Sequence, residues 1–460
     1  MAGISRTLSQ RRLVAAVAIV ALGTGGVAAA QTAAGGLGDP FFPRQGNGGY
    51  DVRSYDLRLR VHPERDLLQG TARIRATATE DLGSFSLDFR GLDVIGVRVD
   101  DEPARRSRAA QKLILRPPPI AGGQQFTVVV RYHGRPRAIL DRDGSREGWI
   151  NTDDGSVVVA EPRGAPTWFP VNDALTDKAE FEFKVTVPRP LKAIANGSLV
   201  KRARHGQRSV WRWSAREPMA PYLATVATGR FRLRESDEAG IEALSAIDPR
   251  LWPESRGPLR KTGRVLALFE SLFGPYPFEV TGAIVDDAPM VGYALETQTR
   301  PVYDRRPRVT LIAHELAHQW FGDSVGLTTW PEIWLNEGFA TWAQWRWAEQ
   351  AGGPTTAERL ERLSATPATA GGFWNPPPAA VPGPGELFSD SVYVRGAMAL
   401  EVLRQQVGEP TFVAILREWT AAHAYGNATI AEFVALAEAR SGQELGPLFD
   451  LWLYQPGKPE

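Results

Sequence analysis

The chain has 460 residues, of which 43% are hydrophobic and 23% are charged, and this composition is ordinary for a globular protein. The length allows a leader and two or three domains. A formal net charge of +1 gives no reason to expect a nucleic-acid partner or a polybasic membrane surface. Because cysteine is absent, disulfides and thiolate metal ligands are excluded, and any metal must be held by nitrogen and oxygen atoms.

The first 30 residues have the composition of an export signal. Arg11 and Arg12 precede an apolar run from Leu13 to Leu22, and small residues follow up to Ala30. A positive region, a hydrophobic region and a small-residue cleavage site predict a secretory signal peptide over 1–30, followed by a linker over 31–44. An uncleaved anchor is the alternative, but the apolar run is shorter than the roughly 20 residues of a spanning helix. We therefore expect a secreted or extracytoplasmic protein with no stable membrane insertion after the leader is cleaved.

From about Tyr50 to Arg234, apolar and polar residues alternate in short runs that glycine-rich turns separate. One such run contains Tyr55, Leu57, Leu59 and Val61. A period of two is typical of half-buried strands, and many short strands of this kind predict an all-β sandwich or saddle. We assign residues 45–237 to an N-terminal β domain.

After about Glu238 the apolar period becomes helical. The segments that we predict as helices are Pro253–Phe273, Val309–Phe321, Asn336–Gln350, Val394–Val407, Pro410–His423 and Ile430–Arg440. The Gly- and Pro-rich stretch from Gly371 to Pro384 predicts a loop. The predicted fold class is therefore α+β, with a mainly helical domain over residues 238–457.

One predicted helix carries the sequence His314-Glu315-Leu316-Ala317-His318. Side chains four residues apart share one face of a helix, so the two imidazoles can bind one zinc ion. Glu315 lies beside them and can act on a water molecule without ligating the metal. An exposed helical face with one ion pair is the alternative, but the flanking residues are apolar and a buried His-Glu-His group needs a compensating partner.

A catalytic zinc site takes three protein ligands and leaves one position for water. The candidate third ligand is Glu337, which lies nineteen positions after His318 and directly after Asn336, a plausible helix cap. The alternative is that Glu337 only adds a favourable negative charge at a helix N-terminus.

Together, the H-E-x-x-H sequence, the eighteen-residue gap and the Asn-Glu-Gly sequence around Glu337 resemble the signature of the gluzincin aminopeptidases of the aminopeptidase N family. Further stretches that resemble the family are 314–322 (HELAHQWFG), 334–339 (WLNEGF), 168–178, 222–224 and 449–453. The resemblance covers roughly residues 45–457. It implies a thermolysin-like catalytic domain, one Zn²⁺ per chain and hydrolysis of N-terminal residues from peptides.

The resemblance also implies roles for three more residues. Glu296, in Tyr293-Ala294-Leu295-Glu296-Thr297, keeps only the Glu of the family's G-x-M-E-N motif, and it would bind the α-amine of the substrate. Glu161 matches the position in the β domain that helps to hold this amine, and paired carboxylates recognise an ammonium well. Tyr393 matches the catalytic tyrosine, which would donate a hydrogen bond to the oxyanion.

Larger family members have an additional C-terminal helical domain that covers the active site, and we expect this chain to be a short form without it. Two alternative functions stay open. One is a zinc endopeptidase, if the altered motif around Glu296 no longer anchors the amine. The other is a non-catalytic secreted binding protein with a degenerate or structural metal site. The oligomeric state stays open as well.

Overall fold

The computed structural model describes residues 35–460. The predicted signal peptide and the first residues of the predicted linker lie outside this range. Within it, no helix combines the length and the apolar character that a membrane span requires.

Strands dominate the first half of the described chain. They are β1 Tyr50–His62, β2 Leu67–Ala78, β3 Phe85–Asp88, β4 Asp93–Val99, β5 Glu102–Pro103, β6 Arg105–Ala109, β7 Lys112–Arg116, β8 Gln125–Gly134, β9 Ile139–Leu140, β10 Arg146–Asn151, β11 Ser156–Val159, β12 Ala179–Pro188, β13 Lys192–Ala195, β14 Ser198–His205, β15 Arg208–Met219 and β16 Val226–Gly229. Short 3₁₀ turns lie at Pro63–Arg65, Ala165–Thr167 and Pro221–Leu223.

These strands form three sheets, and the largest has the order β14-β15-β12-β1-β2-β8-β4-β5. β1 pairs in parallel with β12 and antiparallel with β2. Its residues Tyr55, Leu57 and Leu59 are buried, while Arg58 between them is exposed, as the period of two predicts. The other sheets have the orders β13-β16-β11-β10-β9 and β3-β7-β6. The prediction of a mainly-β first half is confirmed.

The second half combines a sheet with helices. Its strands are β17 Arg232–Glu238, β18 Ile241–Ile247, β19 Val280–Val285, β20 Ala294–Leu295, β21 Val302–Tyr303, β22 Gly326–Leu327 and β23 Asn427–Ala428. Its helices are α1 Trp252–Leu259, α2 Thr262–Phe273, α3 Val309–Ala317, α4 Trp334–Gln350, α5 Thr356–Ser364, α6 Gly371–Trp374, α7 Asp390–Val407, α8 Glu409–Ala422, α9 Ile430–Ser441 and α10 Gly446–Phe449. Two 3₁₀ turns at Trp330–Glu332 and Pro384–Glu386 and a π-helical turn at Asp450–Tyr454 complete it.

The five-stranded sheet of this half has the order β17-β18-β19-β21-β20, so β20 lies at its edge. β17 is hydrogen-bonded to β18 along its whole length. This sheet therefore begins at Arg232, a few residues before the predicted division at 237/238.

Several secondary-structure predictions differ from the structure. The helix predicted from Val394 begins at Asp390. The segment 253–273 is split into α1 and α2, because Pro258 has no backbone N–H to donate and α1 ends one residue later. α3 ends at Ala317 rather than at Phe321, because the chain turns at Gly322, which has a φ of 128°. The loop predicted over 371–384 is wrong at 371–374, where a helical turn places Trp374 in the core with 1% of its surface exposed.

Two basic side chains, one partly buried and one fully buried, link the β half to the helical half. Lys178, directly before β12, donates hydrogen bonds from Nζ to the carbonyl oxygens of Asp323, Ser324 and Gly426 at 2.6–3.0 Å. Arg300 donates to the carbonyl oxygens of residues 195, 197 and 244, and it stacks 4.8 Å from the ring centroid of Trp213. Each satisfied carbonyl would otherwise be a buried acceptor without a partner, so these contacts hold the two halves together beside α3.

Candidate metal centre and active site

His314 on α3 and His318, the residue that caps the C-terminus of α3, converge with a glutamate on α4. The Nε2 atoms of His314 and His318 lie 3.1 Å and 3.4 Å from Oε2 of Glu337. The four-residue spacing on α3 places both imidazoles on one face, with ring centroids 4.8 Å apart. All three side chains are buried. The structure therefore brings the three predicted metal ligands together.

The ring of His318 is oriented by the backbone that follows α3. Its Nδ1–H donates to the carbonyl oxygen of Phe321 at 3.0 Å, which leaves the lone pair of Nε2 directed towards Glu337. This contact depends on the turn at Gly322. A Cβ on Gly322 would lie 3.5 Å from Nδ1 of His318 and 3.2 Å from Nδ2 of Asn336. Glycine is thus favoured there both by φ and by space.

A second group of acidic side chains adjoins this cluster. Carboxylate oxygens of Glu296 and Glu315 and a ring nitrogen of His318 all lie within 4.8 Å of one another. The carbonyl oxygen of Glu296 accepts a hydrogen bond from Nε2 of Gln319 at 2.8 Å, which attaches the end of β20 to the turn after α3. Glu161 comes from the β half, and its carbonyl oxygen accepts a hydrogen bond from Tyr293 at 3.4 Å.

The electrostatics of the site show an excess of buried negative charge. Burial, followed by the neighbouring Glu296, raises the pKa of Glu161 well above its usual range. Burial also raises the pKa values of Glu296 and Glu315. Burial alone would raise the pKa of Glu337 too, but His318 and the hydrogen-bonded His314 lower it to about 2. Because isolated buried carboxylates are costly, this arrangement requires positive charge within the cluster.

A zinc ion fits this requirement. Two imidazole nitrogens and one carboxylate oxygen are a donor set that zinc prefers, and three protein ligands leave a position open. Burial lowers the pKa of His314, which favours the neutral imidazole that a metal ligand must be. Burial also acts to lower the pKa of His318, but Glu337 and Glu296 raise it well above its usual range, so a metal ion there would replace a proton. His314, His318 and Glu337 could therefore hold one zinc ion.

Unsatisfied acceptors mark a second place for a cation. Oε1 of Glu161 and Oε1 of Glu296 are buried, and neither has a hydrogen-bond partner within residues 35–460. Native proteins rarely leave such atoms unpaired. A ligand with several N–H donors and a positive charge, such as an ammonium group, would satisfy both.

A cavity of about 480 Å³ lies beside the metal-ligand cluster, and its lining includes His314, Glu315 and Tyr393. The ring of Tyr393 on α7 lies 6.0 Å from that of His314, with 22° between the ring planes. Burial, followed by Glu337, raises the pKa of Tyr393 well above 10, so the phenol stays a hydrogen-bond donor. The structure thus places all seven sequence-predicted site residues around one centre.

Sequence reasoning missed three buried polar residues beside this centre. Gln319 links Glu296 to Thr299, whose backbone N–H it accepts at 2.7 Å. Tyr222 is 3% exposed, and while burial raises the pKa of Glu296, the nearby Tyr222 phenol acts to lower it. Neither carboxylate oxygen of Asp323, which is fully buried, has a hydrogen-bond partner within the part of the chain that the structure describes. Gln319 and Asp323 stand in an apolar stretch after His318, and that contrast is a signal that could have identified them.

Comparisons with known proteins agree with this geometry. The Peptidase family M1 domain matches residues 290–452, and the Peptidase M1 N-terminal domain matches residues 52–223. Aminopeptidase M1 of Arabidopsis thaliana is 30% identical over 456 residues, covering 88% of this chain and 50% of the relative. Leucyl aminopeptidase of Saccharolobus solfataricus is 23% identical, covering 89% of this chain and 54% of the relative. The chain thus spans about half the length of these curated relatives.

Among solved structures, the M1 zinc metallopeptidase from Deinococcus radiodurans matches with a TM-score of 0.84 and 30% identity. The match covers 92% of this chain and 99% of that one. A variant of the same enzyme has been solved with a Tyr-Ser-Ala substrate. The shared fold, the likeness along nearly the whole of the solved chain and the His-His-Glu cluster lead to one conclusion: this chain belongs to peptidase family M1, the zinc metallopeptidases with an M1 N-terminal domain before the catalytic domain.

Proposed function

We propose that this protein is a secreted zinc-dependent aminopeptidase that removes N-terminal residues from peptides. The observation that carries the proposal is the pair of unsatisfied carboxylates, Glu161 and Glu296, beside the metal-ligand cluster. A free α-ammonium group supplies the charge and the donors that both carboxylates lack. An internal peptide segment has no such group, so the pair favours cleavage at the N-terminus.

In this proposal His314, His318 and Glu337 hold one zinc ion. The bound metal would polarise the scissile carbonyl and make a water molecule acidic near neutral pH. Glu315 takes a proton from the attacking water and delivers it to the leaving amine. Burial raises the pKa of Glu315 above its usual range, which makes its carboxylate a stronger base.

The carboxylate pair and the phenol of Tyr393 would position the reacting peptide. Glu161 and Glu296 bind the ammonium, and this contact fixes which peptide bond lies beside Glu315. The phenol of Tyr393 donates a hydrogen bond to the oxygen of the scissile carbonyl as negative charge develops on it. Its location in the cavity that His314 and Glu315 also line supports this role.

Export and domain organisation are further parts of the proposal. The composition of residues 1–30 supports a cleaved signal peptide and a secreted or extracytoplasmic location. Residues 45–237 would form the β domain that contributes Glu161, and residues 238–457 the catalytic domain that contributes the other six site residues.

A panel of aminoacyl amides, assayed with and without a zinc chelator, tests the activity. We expect hydrolysis that the chelator abolishes and that added zinc restores. Glu315→Gln should reduce kcat by a factor on the order of 10²–10⁴ while zinc stays bound, which metal analysis checks. Glu361→Gln, at an exposed position on α5, serves as the matched control and should leave kcat unchanged.

Peptides with a free or an acetylated N-terminus separate this function from its alternatives. Acetylation removes the positive charge, so an aminopeptidase should cleave the acetylated peptide far more slowly. Equal cleavage of both peptides would establish an endopeptidase instead. A zinc-loaded protein that cleaves neither peptide and no aminoacyl amide would be a binding protein with a structural metal.

A further inference from the structure

The cavity beside Glu315 has a strongly basic wall. Besides His314, Glu315 and Tyr393, its lining includes three arginines from the segment between β21 and α3, namely Arg305, Arg306 and Arg308. All three arginines are exposed. The catalytic and binding roles proposed above involve none of these three arginines.

The edge strand β20 leads from the ammonium-binding end of the site towards this wall. Glu296 directly follows β20, and Gly292, which also lines the cavity, lies four residues before Glu296. At roughly 3.3 Å per residue of extended chain, these two residues are at most about 13 Å apart. Gly292 donates a hydrogen bond to Asp304 at 3.3 Å, and Asp304 binds Arg305, so the basic wall begins at this far end.

A peptide that lies along β20 would therefore reach the wall with its third or fourth residue. Exposed strand edges bind extended peptides through their free backbone groups. With its ammonium at Glu296, such a peptide spans the distance of about 13 Å in roughly four residues. The first residue is the one removed, so the residues near the wall belong to the leaving part of the substrate.

Of the three arginines, Arg308 is the one whose guanidinium has no acidic partner within residues 35–460. Arg305 forms an ion pair with Asp304 at 2.6 Å, and Arg306 forms one with Glu254 at 2.7 Å. Across residues 35–460, no ion pair and no side-chain hydrogen bond involves the guanidinium of Arg308. A guanidinium presents a planar pair of donors that matches a carboxylate.

An apolar side chain accompanies this free cation. Leu311 is three residues after Arg308, on the same side of the first turn of α3, and it also lines the cavity. Its side chain is 37% exposed, which is unusual for a leucine in this protein. The wall thus offers an apolar contact beside a cation, a combination that suits the terminal residue of a short peptide.

We propose that Arg308, with Arg305 and Arg306 beside it, forms a subsite for a carboxylate on the leaving part of the substrate. This carboxylate is the free C-terminus of a tri- or tetrapeptide or an acidic side chain at the same distance from the N-terminus. The proposal rests on the aminopeptidase function and adds a preference for short peptides with a free carboxyl end.

The test compares kcat/KM for pairs of peptides that differ only in having a C-terminal carboxylate or a C-terminal amide. Their N-terminal residue is the one that is cleaved best among the aminoacyl amides. For tri- and tetrapeptides we expect the free acid to be preferred about five- to tenfold, as one charge-assisted contact provides. For dipeptides we expect a ratio near one, because their carboxylate does not reach the wall. Salt at about 0.5 M should reduce the preference by screening the exposed guanidinium.

Two substitutions test whether Arg308 causes the preference for a C-terminal carboxylate. Arg308→Gln should bring the acid-to-amide ratio for tripeptides close to one. Arg264→Gln, at an exposed arginine on α2 that does not line the cavity, should keep both the wild-type ratio and the wild-type activity. Because the ratio is also measured on the wild-type protein with chemically altered peptides, the proposal stays testable even if Arg308→Gln folds poorly.

Two results would overturn the proposal of a carboxylate subsite. One is a wild-type ratio near one for tri- and tetrapeptides while aminoacyl amides are still cleaved. The other is an unchanged ratio in well-folded Arg308→Gln. If the wild type cleaves no aminoacyl amide, the proposed function fails first. Calorimetric binding of the acid and amide tripeptides to Glu315→Gln then decides the subsite: tighter binding of the acid supports it, and equal binding overturns it.

Discussion

Gly338 on α4 and Gly396 on α7 are in direct contact where the two helices cross. A Cβ on Gly396 would lie 3.2 Å from Cα of Gly338, and a Cβ on Gly338 would lie 3.2 Å from the carbonyl carbon of Gly396. Trp334 lies at the same contact, and its Nε1–H donates a hydrogen bond to the carbonyl oxygen of Gly396 at 3.1 Å. Glu337 directly precedes Gly338, and Tyr393 is three residues before Gly396. This contact therefore sets the distance between the proposed third ligand and the proposed phenol donor.

Gly396→Ala should separate these two groups. The new Cβ would lie 2.5 Å from Cδ1 of Trp334, so either the tryptophan or a helix must move. We expect a loss of about 1–3 kcal/mol in the free energy of unfolding, typical of overpacking, and a fall in kcat/KM of roughly tenfold or more. Thermal unfolding and hydrolysis of an aminoacyl amide measure the two effects.

Gly257→Ala is the matched control for this substitution. Gly257 lies in α1, and a Cβ there would have no atom within 4 Å. Alanine should be neutral or slightly stabilising at such a helical position. If Gly396→Ala behaved like Gly257→Ala, the close contact would have no part in forming the site.

Local periodicity explains which parts of the site could be predicted from the sequence. The spacing of His314 and His318 depends on one turn of helix, so their common face follows from the sequence alone. The approach of Glu337 requires two helices to cross, so periodicity could not indicate it. The need of a catalytic zinc ion for a third ligand and the resemblance to a known family did so instead. The contact of Gly338 with Gly396 depends on tertiary packing between segments far apart in the chain, and no local sequence pattern predicts it.

The errors in the prediction have a similar origin. The continuation of α3 to Phe321 was expected because Trp320 and Phe321 extend the apolar pattern, but they are buried in a turn instead. The helical turn at Gly371–Trp374 forms among helix breakers because tertiary contacts bury Trp374. In both cases the packing of an aromatic side chain outweighed local propensity.

Gly322→Ala should weaken metal binding. Its φ of 128° is unfavourable for alanine, and the new Cβ would lie 3.5 Å from the ring of His318. Because this side of the ring makes the orienting hydrogen bond to Phe321, we expect zinc affinity to fall by about 10- to 100-fold. Titration against a zinc chelator of known affinity measures this change.

The control for Gly322→Ala is Gly408→Ala, which adds backbone strain away from the site. Gly408 has a φ of 82°, and a Cβ there would have no atom within 4 Å. It should reduce stability by about 1 kcal/mol or more and leave zinc affinity unchanged. Equal zinc affinities for the two variants and the wild type would contradict the role given to the turn after α3.

Glu161→Gln should stabilise the metal-free protein while reducing its activity after zinc is restored. Burial, followed by Glu296, raises the pKa of Glu161 well above its usual range in the folded state. The folded protein therefore holds this proton more tightly than the unfolded chain does. It follows that stability is lost as pH rises from the ordinary glutamate range through the raised pKa. Glutamine removes this loss, so the difference in melting temperature between variant and wild type should grow with pH.

Melting curves of the chelated proteins across pH 5–9 and kcat/KM of the zinc-loaded proteins provide the two measurements. Glu361→Gln, at an exposed position, should change neither. A metal-free Glu161→Gln that melts below the wild type at every pH would show that Glu161 is compensated within the fold, and the ammonium site would lose its main support.

Arg395→Lys should release the C-terminal segment from α7. The guanidinium of Arg395 is fully buried and donates hydrogen bonds to five carbonyl oxygens at 2.6–3.0 Å, which belong to residues 374, 451, 452, 455 and 457. Lysine has three donors at one point and cannot reach acceptors that surround a planar group. At least two carbonyls would be left buried without partners, which costs about 1–3 kcal/mol each.

The expected result is a destabilisation of about 2–5 kcal/mol with new proteolytic cleavage near residues 451–457. Limited proteolysis followed by mass spectrometry locates the cuts. Zinc affinity should be retained, because His314, His318 and Glu337 lie at the end of α3 and on α4, and within residues 35–460 their side chains make no hydrogen bond to residues 451–457. Arg417→Lys provides the comparison, since the exposed Arg417 donates one side-chain hydrogen bond within residues 35–460, to the carbonyl oxygen of Ser271 at 2.7 Å. If Arg395→Lys were cut no faster than Arg417→Lys, the four hydrogen bonds to residues 451, 452, 455 and 457 would not be what holds the C-terminal segment against α7.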